Sequence, residues 1–301
     1  MPNLSPSRRT GAEFGLVAVV VIWGFNFAIT KNAFELLSPF AFNAARLTLS
    51  VLVAGGLAWR ACRGSTESLW PGRELVALIL LGVLGHGLYQ LLFVSGLART
   101  TSGNAALMLA SAPVWTAVVE AFTRQARVPP LAWFGLAVAL AGTAVLTYLG
   151  ATVQFGVDTL AGDVLVAASA VAWGAYTARG RPLVAIRSPT VVLFWSLLFA
   201  LPILWIAGAH DLYVGRSAFR EPSLWFALFW SGALSTGIAY ALWNRGIREL
   251  GASATSAWNH LVPVVAVVVG ALWLGEPVGP PQIAGGSLVV IGVVMTRQAL
   301  R

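Results

Sequence analysis

The side chains of this chain that could do chemistry sit inside apolar runs, and most are aromatic or carry an amide. They fall in six stretches: Trp23 and Asn26; His86, Tyr89 and Gln90; Asn104, Ser111 and Trp115; Trp173 and Tyr176; Tyr240, Trp243 and Asn244; and Trp258, Asn259 and His260. On a helix, residues three and four apart are neighbours, so His86, Tyr89 and Gln90 share one face, as do Trp173 and Tyr176. Polar groups surrounded by hydrocarbon are costly and turn toward protein or water. A cavity walled by Trp, Tyr and amides suits a small solute that is partly aromatic or apolar and carries a few hydrogen-bonding groups. Each residue also has a plainer reading, as an interfacial aromatic or a helix-to-helix hydrogen bond.

The charged groups expected to be buried or nearly so are Lys31, Arg46 and Glu120. Arg46 lies too deep to reach the interface and needs a carboxylate, a carbonyl or water beside it. Glu120 is read either as a structural ion pair or as a coupling group for protons. The three histidines, His86, His210 and His260, lie in separate segments, with no aspartate pair and no His-x-x-x-His. The constellation of an enzyme acting on a lipid-linked substrate is therefore not apparent, and no metal or other cofactor is expected. The single cysteine, Cys62, allows no internal disulfide.

The elements that carry these residues follow from composition. Of 301 residues, 58% are hydrophobic and 10% charged, and the mean hydropathy is +0.79. A soluble domain carries about 25% charged residues, so most of this surface must face lipid. Apolar runs long enough to cross a bilayer as helices fall near 13–31, 40–59, 74–97, 103–122, 131–150, 161–179, 190–208, 223–244, 252–274 and 281–297. The first is too long, and lacks the small-residue cleavage site, to be a signal peptide. With the N-terminus in the cytoplasm and strict alternation, 14 basic residues fall on the cytoplasmic side. Four, Lys31, Arg99, Arg216 and Arg220, fall outside, with Arg46 inside the second span. That bias places both termini in the cytoplasm. The net charge of +8 is spread singly between spans rather than in a stripe, which argues against nucleic acid as a partner.

The chain also repeats itself at an offset of 150 residues. Trp23-Gly24 matches Trp173-Gly174, Ser38-Pro39 matches Ser188-Pro189, and Gly82 and Gly96 match Gly232 and Gly246. Pro113-Val114 matches Pro263-Val264, and Gly135 and Gly142 match Gly285 and Gly292. Each half holds five spans, an odd number, so the second enters the membrane inverted. The expected fold is an all-α integral membrane protein of ten transmembrane helices, two inverted five-helix repeats over 1–150 and 151–301 in one integrated unit. Inverted repeats let two bundles rock around a shared central site. Pro113 and Pro263 break corresponding helices, and each removes a helical hydrogen bond and frees a carbonyl near mid-membrane.

These residues resemble the EamA family of the drug/metabolite transporter superfamily. The resemblance rests on Trp23-Gly24-Phe25-Asn26-Phe27 with Lys31, Pro39 and Arg46 in the first half. In the second it rests on Trp173-Gly174, Pro189, Pro263, Leu274-Gly275-Glu276-Pro277 and Gly285 to Gly292. One departure is Thr123-Arg124-Gln125-Ala126, which replaces the family's Leu-Gly-Glu segment after the fourth helix. The resemblance implies a bacterial inner-membrane exporter with helices 1, 3, 4, 6, 8 and 9 around a cavity and helices 5 and 10 outside it. It implies small organic metabolites as cargo, amino acids foremost, with the aromatic amino acid exporters the most similar branch; a drug-like cation or a nucleoside is the alternative cargo. Partners would be the small-molecule substrate and membrane lipid, in a monomer or homodimer. A channel would show a filter motif or a polar pore stripe, and neither is visible.

Overall fold

In the computed structural model, residues 6–63, 65–148, 156–274 and 278–300 are described. Among them are ten long helices and no strand. They are α1 (Pro6–Ala33), α2 (Pro39–Arg63), α3 (Leu75–Leu97), α4 (102–122), α5 (Pro130–Tyr148), α6 (Val157–Ile186), α7 (Pro189–Val214), α8 (Pro222–Leu250), α9 (252–274) and α10 (Pro280–Ala299). Among the described residues nine of these are long and apolar enough to cross a membrane. The exception, α10, carries Pro280, Pro281 and Gln282 at one end and Arg297 at the other, which dilutes a short apolar run. Proline opens α2, α5, α7, α8 and α10, the position where its missing N–H is not needed and its fixed φ suits a helix.

Four helices depart from regular geometry, in two corresponding pairs. α3 widens into π-helical turns at Val83–Leu88, and α8 does so at Phe229–Ile238. α4 breaks between Leu109 and Ala112, so that Pro113 sits in the first turn of its second piece. α9 passes through a 3-10 turn at Ala257–His260 before Leu261–Leu274, with Pro263 again in the first turn. Wide turns shift the face that side chains present, and the breaks release backbone carbonyls from the helical hydrogen-bond ladder.

The helices pack as an inverted pair of bundles. α1 lies against α8 and α9, and α6 lies correspondingly against α3 and α4; α2 pairs with α7, and α5 with α10. A Cβ added to Gly82 would come within 2.4 Å of the Ser196 carbonyl oxygen, and one added to Gly232 within 2.6 Å of the Arg46 carbonyl oxygen. Those two contacts are the same contact under the repeat. α5 and α10 close on each other along Gly135, Gly142, Gly285 and Gly292, each with backbone of the facing helix within 2.8 Å of where a Cβ would stand. Gly251, at φ +92°, makes the tight turn from α8 into α9 that a side chain would strain. Phe14, Leu52, Leu80, Phe122, Leu160 and Ile206 point outward, a belt that only lipid would leave unpenalised. The junction between the repeats, and residues 275–277 of the Leu274-Gly275-Glu276-Pro277 segment, lie outside the described residues.

Candidate functional site

Three contacts join residues that are 150 positions apart, and so mark the axis relating the repeats. The Trp23 and Trp173 rings meet edge to face at 5.6 Å. Gln90 Nε2 donates to Tyr240 Oη at 3.3 Å. Asn259 Nδ2 donates to the Leu109 carbonyl at 3.4 Å. That carbonyl is the one Pro113, lacking an N–H, cannot engage, so the freed acceptor in α4 is taken by an amide on α9.

A cavity lies along this axis, with about 570 Å3 of space between its walls when its open mouth is counted and about 40 Å3 free to the centre of a water-sized sphere. Trp23, Asn26 and Phe27 come to it from α1, and Tyr89, Gln90 and Phe93 from α3. Ala106, Leu109 and Ala110 come from α4, Trp173 from α6, and Ser235, Thr236 and Tyr240 from α8. Asn259, Val262 and Pro263 come from α9, and α2 adds Arg46. The rings form a continuous box: Trp173 lies 4.9 Å from Tyr240 and 5.1 Å from Tyr89, and Trp23 lies 5.7 Å from Tyr240. Trp23 is held by its Nε1 donating to the Ser235 carbonyl at 3.1 Å.

Arg46 is the polar pole of this space. It is 2% exposed, and its guanidinium donates to Asn43 Oδ1 at 2.9 Å, Ser231 Oγ at 2.9 Å and Gln90 Oε1 at 2.6 Å. Ser231 in turn donates to Asn26 Oδ1 at 2.8 Å. Of the carboxylate, carbonyl or water that the sequence leads one to expect, the guanidinium meets carbonyl oxygens, those of the Asn43 and Gln90 amides on α2 and α3, together with a serine hydroxyl on α8.

Other residues singled out in the sequence stand behind or beyond the cavity wall. His86 stacks on Tyr240 at 5.3 Å and against Tyr176 at 4.7 Å, fully buried, with neither ring nitrogen hydrogen-bonded among the described residues. Tyr176 donates to Asn244 Oδ1 at 3.0 Å, and Trp243 packs on Trp23 at 5.0 Å and donates to Thr177 Oγ1 at 3.3 Å. His86, Tyr176, Trp243 and Asn244 thus form a second aromatic layer that closes one end of the cavity. His260 is fully buried, and among the described residues neither of its ring nitrogens is hydrogen-bonded, while Trp258 carries the Arg297 guanidinium over its ring at 4.6 Å. Trp115 lays its Cβ on Gly174 but is 38% exposed, turned away from the cavity.

Asn104 is engaged elsewhere. Its Nδ2 donates to both carboxylate oxygens of Asp163, at 2.9 and 3.0 Å, and Thr100 Oγ1 donates to the same carboxylate at 2.6 Å. Asp163, 6% exposed, is a buried acid that sequence reading overlooks; its position near a predicted helix end gave no sign that α6 begins earlier, at Val157. Lys31 donates to the Thr100 carbonyl beside it. At the opposite end Glu120, 1% exposed, accepts from Arg181 at 3.0 Å and from the Ser253 backbone N–H at 3.0 Å, and also from the Ser253 hydroxyl. α4, α6 and α9 are thereby tied together. Among the described residues no group of three or more His, Cys, Asp or Glu is arranged to hold a metal.

Comparison with known proteins agrees with this fold. The profile of the EamA-like transporter family matches residues 10–148 and again residues 160–298. A probable terminal-alkyne amino-acid exporter of Streptantibioticus cattleyicolor is 28% identical over 96% of this chain and 94% of its own. An uncharacterized transporter of Bacillus subtilis, YyaM, is 24% identical over 92% and 95%. An uncharacterized protein of Pseudomonas aeruginosa is 30% identical over 95% and 93%. A crystal structure shares the fold with a TM-score of 0.76 at 21% identity, over 95% of this chain and 96% of its own. The chain therefore belongs to the EamA-like transporter family, and is a multi-pass membrane transporter of small molecules rather than an enzyme.

Proposed function

We propose that this transporter exports amino acids with aromatic or other neutral side chains across the bacterial inner membrane, by alternating access to the axial cavity. One observation carries the reading: four rings, Trp23, Tyr89, Trp173 and Tyr240, wall a space that also holds the amides of Asn26, Gln90 and Asn259. Such a wall accommodates an apolar or aromatic side chain at one end and hydrogen-bonding groups at the other. The relative whose printed name is a probable amino-acid exporter points the same way. A cavity on the axis of an inverted repeat can be opened to either side by exchanging the conformations of the two halves. With both termini in the cytoplasm, as the distribution of arginine favours, the layer of His86, Tyr176 and Trp243 and the Glu120–Arg181–Ser253 tie close the cytoplasmic side.

Counterflow of radiolabelled phenylalanine in proteoliposomes tests the assignment. Trp173→Ala and Tyr240→Ala should each lower uptake about tenfold, the equivalent of roughly 1.4 kcal/mol of binding, while Trp115→Ala, outside the cavity, leaves it unchanged. Undiminished counterflow in both cavity variants would remove the site, and exchange of a cationic drug or a nucleoside in place of amino acids would replace the cargo.

A further inference from the structure

Arg46 is a buried cation without an anion. Among the described residues it takes part in no ion pair. The acids buried in the same bundle are committed elsewhere, Glu120 to Arg181 and Ser253, and Asp163 to Thr100 and Asn104. Every group that meets the guanidinium is neutral: Asn43 and the Phe42 ring on α2, Gln90 on α3, and Ser231 on α8. Of the five N–H donors that a guanidinium carries, three have these partners, which leaves one on Nη1 and one on Nη2 unengaged among the described residues. Arg46 lines the axial cavity. A full positive charge in a low-dielectric interior is strongly destabilising unless an opposite charge joins it, and a planar fork with two free N–H groups matches the two oxygens of a carboxylate.

We infer that the anion belongs to the cargo: Arg46 binds a carboxylate, and the transporter selects monocarboxylates that carry an apolar or aromatic group. This rests on the export reading above and narrows it. Among the described residues no carboxylate lines the cavity, so a cargo ammonium group would meet only amide oxygens and ring faces. The carboxylate is the recognised group and the amine is dispensable. The repeat supports the assignment, because the position corresponding to Arg46 is Ser196, whose hydroxyl turns back to the Leu193 carbonyl at 3.0 Å. The cavity therefore has one cationic pole, at which a cargo of one orientation would dock.

Four probes that share a phenyl group separate the possibilities: 3-phenylpropanoate, L-phenylalanine, L-phenylalaninamide and phenethylamine. Quenching of intrinsic tryptophan fluorescence in purified protein reads their binding, since Trp23 and Trp173 wall the cavity. Both acids should bind, and the amide and the amine should bind at least about tenfold more weakly, as loss of a hydrogen-bonded charge predicts. Arg46→Met should level the four, and Arg46→Lys should keep the order at lower affinity. The comparison of probes on the unaltered protein stands even where a variant fails to fold. Equal binding of amine and acid, or binding of none of the four, overturns the inference. Flux in proteoliposomes separates it from the export reading: acids that bind without crossing keep Arg46 as their receptor and remove export, whereas flux of cations without carboxylate binding keeps transport and removes this role for Arg46.

Discussion

The two repeats agree where backbone meets backbone and part company where side chains meet the cavity. Gly82 against Ser196 and Gly232 against Arg46 are one contact made twice, within 2.4 and 2.6 Å of a would-be Cβ. The residues that supply those carbonyls differ completely in side chain, a serine in one copy and an arginine in the other. On the axis Gln90 faces Tyr240, and Leu109 faces Asn259. The ends diverge as well. Lys31 and Arg181 occupy corresponding positions, yet Arg181 meets Glu120 while Lys31, among the described residues, meets a backbone carbonyl and no acid; the residue that corresponds to Glu120 is Gly270. Close approach leaves no room for substitution, so geometry is retained in both copies. A solute is not symmetric, so the walls that recognise it gain by losing the symmetry.

The comparison breaks most visibly at the glycines. Gly82→Val and Gly232→Val should each destabilise the protein by about 3 kcal/mol, the upper range for overpacking, and by amounts within about 1 kcal/mol of one another given the expected scatter. Thermal unfolding in detergent measures both, and a wide gap would show that the repeats do not share this contact energetically. The next effect concerns the two ends. Glu120→Ala strands Arg181 and the Ser253 N–H and should cost about 2 kcal/mol, less than a fully buried pair because Arg181 is partly exposed. Lys31→Met removes one hydrogen bond and should cost about 1 kcal/mol or less. Equal losses would mean that Glu120 adds no more to its end of the bundle than a single hydrogen bond adds to the other.

The smallest effect is one of pH. Arg187 pairs with Glu67 at 2.9 Å and also with Glu74, whereas the corresponding residue of the first repeat, Leu37, pairs with nothing ionic. Backbone N–H groups of Glu74 itself and of Gly72, with Arg187 beside them, hold the Glu74 carboxyl below its ordinary 4.5 against the upward push of burial. A depressed carboxylate contributes stability that is complete above the ordinary value and is lost as pH falls through the lower, folded one. Hydrogen-exchange protection in the segment 65–74, each rate being divided by the intrinsic rate at the same pH, should therefore stay constant from neutral pH down to about 4.5 and fall below it, while that of segment 34–38 stays level. A loss of protection already near pH 6 would point to another group.

Much of the architecture was legible beforehand. Ten apolar runs, the 150-residue offset and the paired prolines need only local information, and the helices, their inversion and the breaks in α4 and α9 follow from them. The site was legible in part. Trp23, Asn26, Tyr89, Gln90, Trp173, Tyr240 and Asn259 line the cavity, but His86, Tyr176, Trp243 and Asn244 stand one layer behind, and Asn104 is taken by Asp163. The π turns at Val83–Leu88 and Phe229–Ile238 rotate successive side chains off the regular face, and no local pattern announces such a turn.

Hydropathy, charge bias and proline spacing are set by the solvent around each segment, and lipid imposes them one helix at a time; these the sequence determined by itself. Which groups meet was decided only by tertiary structure. That Asn259 takes the carbonyl freed by Pro113, that Glu120 finds Arg181, and that Arg46 finds no acid among the described residues depend on how closely glycine-lined backbones approach, and hydrogen bonds and ion pairs exist only within a few ångströms of that approach.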